Sequence, residues 1–306
     1  MKHRFSIISD GSCDLPEEIT AEYNISIVHF LVSFDDETYK KESIEMSLDD
    51  FYKQMLTDPD RFPKTAAPSP EDFLREFTRY AAAGQDILCI CISTKLSSAM
   101  QSAKIAKDML HDAYPDVKVY VMDSLCATLM QSAFVLEACS LRDKGYTLEQ
   151  AVPVLKELRS TARIFFTVGN LNYIEHGGRI GKMTSLAGSL LNIKPLITLQ
   201  DGEIHSSGIR RGRRRSVDGL VDLLTAYLKE NNCTPADCRI LIGYGSNYEE
   251  AFRLRELTDD RLHEEWGIST GIPICRIGAT IGVHAGPTSI GYGIVRHVNP
   301  EIMPTV

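Results

Sequence analysis

What this sequence lacks narrows its function before any motif is read. Its eight cysteines (Cys13, Cys89, Cys91, Cys126, Cys139, Cys233, Cys238 and Cys275) form no C-x-x-C pair and no Cys/His cluster at zinc spacing. A structural zinc site or a dithiol redox centre is therefore not expected. Cys89 and Cys91 fall in the apolar run ILCICI, a buried strand by composition, and free buried thiols fit a reducing cytoplasm. No apolar run approaches the roughly 18 residues that cross a bilayer, and MKHRFSIISD is too short in apolar residues for a signal peptide. A cytoplasmic protein without a transmembrane segment is expected, which leaves room for transient membrane contact. Positive charge is also scarce. The formal net charge is −8 and the pI about 5.5, so broad nucleic-acid binding is not expected. No G-x-S-x-G nucleophile elbow occurs.

What is present is an ordinary globular composition, 43% hydrophobic and 24% charged over 306 residues. That length suits two domains, since single cores tend to divide beyond roughly 250–300 residues. Strands are predicted at Phe5–Ser9, Asp86–Ser93 and Val117–Ser124, with helices after the last two, the second of them closed by Gly145. Such alternation argues for a parallel sheet covered by helices. Leu148–Ala162 reads as a further helix carrying Pro153. Past it the texture changes to RIFFTVGN, a hairpin turning at Asp201-Gly202, two long helices and short closing strands. The expected fold class is α/β with two domains, 1–160 and 161–306. The first is a three-layer unit with a small parallel sheet, the second a two-layer unit with a mixed sheet. Asp36–Pro70 is polar and reads as a surface excursion with one helix over Leu48–Leu56.

Two stretches imitate nucleotide sites. EHGGRIGK (Glu175–Lys182) resembles a phosphate loop, but His176 stands where the first glycine belongs and Met183 where Ser or Thr would hold magnesium. A helix cap and turn, with Gly177 and Gly178 at positive φ, explains the glycines. It leaves Arg179 on a tight turn, suited to a carboxylate or phosphate. GYGSNYEEA (Gly243–Ala251) has Tyr248 in place of the third glycine of a dinucleotide fold. No cofactor is expected.

Other features carry two readings each. Asp10 and Asp14, around Ser12 in SDGSCDLP, could bind magnesium or support phosphotransfer or hydrolysis; capping of the loop and next helix is the favoured reading. The arginine run Arg210–Arg215 is a solvated turn or a docking surface for an acidic partner. Ser97 and Ser98 begin a helix after a strand, an ordinary cap or an anion site. Thr65 precedes a Pro-started helix at Ser69-Pro70, and if its loop meets that of Ser97 the two hydroxyls could grip one carboxylate. His284, in the glycine-bearing loop IGVHAGPTSIGYG, is expected to face a cleft.

IISDGSCDLP, PKTAAPSPEDF, ISTKLSSAMQSA, VMDS, LNYIEHGGRIGK, LLNIKPLITLQDGEI and IGVHAGPTSIG follow one another in that order. Together they resemble the DegV family, the fatty-acid-binding subunits of bacterial fatty acid kinase, almost from end to end. The resemblance implies a long-chain fatty acid whose tail fills an apolar tunnel and whose carboxylate lies between the domains. It places carboxylate binding on Thr65 and Ser97, with His284 nearby. It places Arg179 toward a partner kinase that phosphorylates the carboxylate, so the chain would be a substrate-presenting subunit and not itself an enzyme. A lipid-responsive regulatory module is the alternative. The sequence departs from the family pattern at Ala66-Ala67, at Ser98-Ala99, and at Leu129, Met130 and Gln131, where small residues are usual, so acyl-chain preference does not carry over.

Overall fold

The computed structural model describes residues 4–179, 181 and 192–298. Lys182 and Met183 of the phosphate-loop comparison, and Leu190 and Leu191 of a family landmark, lie outside the described residues. The chain opens with β1 (Phe5–Asp10), one 3-10 turn at Gly11–Cys13, α1 (Glu17–Glu22) and β2 (Ile25–Val28). Then come β3 (Leu31–Ser33), β4 (Lys40–Lys41), α2 (Leu48–Thr57), β5 (Lys64–Ala66) and α3 (Pro70–Ala81). The first half continues with β6 (Asp86–Cys91), α4 (Ala99–His111), β7 (Val119–Asp123), α5 (Thr128–Asp143) and α6 (Leu148–Leu158). The second half holds β8 (Arg163–Thr167), α7 (Asn172–His176), β9 (Ile193–Gln200), β10 (Glu203–Arg211) and α8 (Arg213–Glu230). It ends with β11 (Cys238–Tyr244), α9 (Tyr248–Trp266), β12 (Ile274–Arg276), α10 (Ala279–Ala285) and β13 (Ile290–Arg296).

A parallel sheet of order β2-β1-β6-β7 forms the first half, with Ile7 opposite Leu88 and Leu88 opposite Tyr120. These strands are buried on both faces, which is why they read as continuous apolar runs. The second half is a mixed sheet of order β10-β9-β8-β13-β11-β12, antiparallel except for β11 and β12. Its hairpin turns at Asp201 and Gly202, with φ of 52° and 79°, as a two-residue turn between twisted strands requires. Helices α8 and α9 bury Leu220, Leu224, Leu228, Leu254 and Leu262 against that sheet.

The N-terminal end of α5 packs against β13 of the second sheet. A Cβ on Gly293 would stand 2.3 Å from the main chain of Leu129 and Met130, so only glycine lets the first turn of α5 rest on β13. One apolar core consequently runs from Ile7, Leu88 and Phe134 to Ile197, Leu241 and Val295.

Three expectations need correction. The stretch over 36–70 is more than a surface excursion. It supplies a three-stranded sheet, β4-β3-β5, and α2 buries Phe51, Tyr52 and Met55 completely or nearly so. A polar average over the segment hides those three positions, which share one helical face. The segment around His284 is not wholly a loop, because α10 runs through it. Its glycines mark close packing and a stop: a Cβ on Gly282 would meet Phe51 at 2.7 Å, and Gly286 takes φ 80°. Finally, Gly178 has the positive φ expected of a turn, 66°, but Gly177 does not, at −71°. Gly177 is small for another reason, taken up below.

Candidate functional site

One cleft between the two sheets gathers the residues singled out by sequence. It encloses about 910 Å³ of empty space, part of it open to solvent. Thr65, Ser97, Arg179 and His284 all line it. Asp10, Ser12 and Asp14 do not. Apolar side chains form most of the wall, among them Ile92, Leu129, Phe166, Ile174, Leu199 and Ile290.

Each polar group is placed by a different element. Thr65 lies in β5, held to β3 opposite Val32. Its hydroxyl is 3.1 Å from Nε2 of His284. His284 projects from α10, and Gly177 gives its ring room, since a Cβ there would lie 2.1 Å from Nδ1. Burial, and then the Arg179 charge, lower the imidazole to about 4, so the ring is neutral at ordinary pH.

Ser97 sits just ahead of α4, with its N–H bound to Ser93 O at 3.1 Å. Its Oγ accepts the Ala99 N–H at 3.2 Å, which leaves the hydroxyl proton for a ligand. Ser98, the nominal cap, makes no side-chain cap. Arg179 follows α7 and the Gly177-Gly178 turn. Its Nε donates to Leu96 O at 3.1 Å, and Nη1 donates to Gly177 O. Among the described lining residues it is the one permanent cation. The arrangement offers three neutral polar side chains and one positive charge at an apolar cleft, which suits a molecule with one carboxylate and a long apolar body.

Asp10 is fully buried and accepts from Ser12, from the Ile92 N–H at 2.8 Å and from Gln131 at 3.1 Å. That caps the loop, and burial raises its carboxyl; the next helix, in contrast to the expectation, is not capped by Asp14, since its cap position is Pro16 with no side-chain bond. Among the described residues no group of acidic, histidine or cysteine side chains is arranged to hold a metal ion. Of the arginine run, Arg213 pairs with Glu250 through both nitrogens at 2.6–2.8 Å. Arg211, Arg214 and Arg215 are exposed.

The model for the DegV family, described as that of an uncharacterised protein, matches residues 4–297. The chain belongs to the DegV family. A DegV domain-containing protein of Clostridium perfringens is 30% identical over 95% of this chain and 98% of its own length. A stearic acid-binding protein of Eubacterium ventriosum has a crystal structure that superposes with a TM-score of 0.90, at 34% identity over 96% of this chain and 99% of that one. The fatty-acid-binding DegV protein of Thermus thermophilus superposes at 0.82, with 26% identity over 96% and 99% of the two chains. The α/β architecture, with its small parallel sheet and mixed second sheet, is that of the DegV fold. Among the described residues no helix is long and apolar enough to cross a membrane.

Sequence reasoning did not find the cleft wall or four further polar residues on it, Thr128, Thr280, Ser289 and Tyr292. Nothing in the local sequence distinguishes the two threonines from surface ones.

Proposed function

We propose that this DegV protein is a carrier. It holds a long-chain fatty acid in the apolar cleft, with the carboxylate at Thr65, Ser97, His284 and Arg179, and presents it to a separate kinase that forms an acyl phosphate. The observation that carries the reading is the gathering of those four side chains, from β5, the start of α4, the turn after α7, and α10, on one mostly apolar cleft. A neutral His284 donates from Nε2 to Thr65, which frees the Thr65 proton for a carboxylate oxygen. Ser97 donates to the same group, and Arg179 balances its charge.

The tail supplies most of the affinity. About 14 methylenes at ~0.8 kcal/mol each would give on the order of 11 kcal/mol before ordering costs. Hydrogen bonds to a charged head group add roughly 1.5–3 kcal/mol each. The head group therefore sets orientation, as a carrier that exposes a carboxylate to a partner needs. The test is titration of delipidated protein with stearate, followed by addition of an ATP-dependent kinase subunit. One-to-one binding and kinase-dependent acyl phosphate support the reading. Binding without turnover removes the kinase half, and absence of binding removes both.

A further inference from the structure

The cleft crosses the second sheet. Ile204 of β10, Leu199 of β9, Phe166 of β8, Gly291 of β13 and Gly243 of β11 all line it, and these strands stand in that order. Ser97 and Arg179 belong to the β10 end. Lys95, two residues before Ser97, pairs with Glu203 at 3.2 Å. A Cβ on Gly181, two residues after Arg179, would lie 3.0 Å from Ile204 O. Four strand spacings separate β10 from β11, roughly 19 Å at ~4.8 Å each. The β11 end is therefore far from those two polar side chains.

Gly291 and Gly243 are register partners across β13 and β11, so they share one face of the sheet. Neither carries a side chain, which leaves that face bare. Over Gly243 the opposite wall takes up the space. A Cβ on Gly243 would lie 2.4 Å from Cδ2 of Leu129 and 3.3 Å from Cγ1 of Ile277. Leu129, at 2% exposure, thus rests the tip of its side chain on the β11 main chain, with Ile277 beside it. All three residues line the cleft.

Leu129 is also fixed from behind. A Cβ on Gly293 would stand 2.3 Å from its carbonyl carbon, so its main chain is pressed against β13. The preceding residue, Thr128, takes φ 44°, a left-handed conformation rare for a β-branched residue. Strain of that kind persists only where the surroundings impose it. A leucine held between two strands in a close-packed wall is a rigid stop, since packed interiors yield little.

We propose that Leu129 limits the length of acyl chain that the cleft takes, its side chain ending the path of the tail over β11. An acid whose tail reaches that point must displace Leu129 or leave its last methylenes outside the apolar wall, so added length stops adding affinity. The proposal rests on the fatty-acid-binding reading and deepens it by naming the residue that sets chain length; it does not depend on the kinase.

The test titrates delipidated protein with saturated straight-chain acids from lauric to behenic acid, lengthened one methylene at a time. Wild-type affinity is expected to rise about fourfold per methylene up to a break inside the series, then level off or fall. In Leu129→Ala, which removes the isopropyl group, the break should move about two to three methylenes toward longer acids. Leu129→Val should move it the same way by about one, and keeps the test open where Leu129→Ala does not fold. Wild-type affinity that climbs through behenic acid without a break overturns the proposal while fatty-acid binding stands. A break that stays in place in the variants, with all acids weakened alike, also overturns it, because Leu129 then only packs the wall. If no acid binds the wild type, the carrier reading fails and takes the proposal with it.

Discussion

The Thr65 hydroxyl lies 3.1 Å from Nε2 of His284, 219 positions further along the chain. This contact ties β5, part of a small sheet built from the first half, to α10 from the end of the second. It joins two segments that the sequence showed only as separate loops.

Because burial and Arg179 lower His284 to about 4, its ring should show no titration near the ordinary 6.5. The carbon-bound proton resonance of His284 is expected to move with a midpoint near 4. The unfolded chain binds the proton first as pH falls, so stability contributed by the neutral ring is present above 6.5 and lost between about 6.5 and about 4. Relative to the wild type, His284→Gln should therefore gain stability across that window, by up to about 3 kcal/mol. A midpoint near 6.5 would remove the neutral-donor role.

Ser97→Ala should retain bound lipid, since the tail dominates binding, with affinity lowered by about tenfold. Acyl-phosphate formation with the kinase should fall much further, because the carboxylate is no longer held in place. Turnover at the wild-type rate would show that Ser97 has no positioning role.

Arg179→Ala should leave lipid content largely intact and abolish acyl-phosphate formation. Arg179 lines the cleft, so its charge can serve both the bound carboxylate and the phosphate that a partner brings. Mass spectrometry of lipid content and a kinase assay on the same preparation separate the two roles. Loss of lipid would assign the arginine to the carboxylate alone.

Gly293→Ala should destabilise the protein. The added Cβ meets the Leu129 and Met130 main chain at 2.3 Å, and an overpacked site that must push a helix off a strand costs about 1–3 kcal/mol. Thermal unfolding should fall by several degrees. Lipid affinity should fall as well, because Leu129 forms part of the tunnel wall. An unchanged melting temperature would mean that α5 can shift freely on β13.

The parallel strands, the hairpin at Asp201-Gly202 and the capped helices were legible because each carries a local signal: an apolar run, a turn dipeptide, a Ser-Pro start. The small sheet of β3 to β5 was not, since two- and three-residue strands in a charged segment give no period to read. Helix α10 was hidden by its glycines, which answer to Phe51 and Tyr52 and to a C-terminal stop. Thr65, Ser97, Arg179 and His284 were found through motifs, whereas their convergence on one cleft is a tertiary fact. Thr128 and Thr280 gave no signal, because a place on the cleft wall exists only once the two halves have folded together.

The most direct measurement is mass spectrometry of an organic extract from the purified protein. The account predicts one equivalent of long-chain fatty acid per chain, or uptake of one equivalent on incubation with stearate. A protein that is lipid-free and takes up none would contradict it.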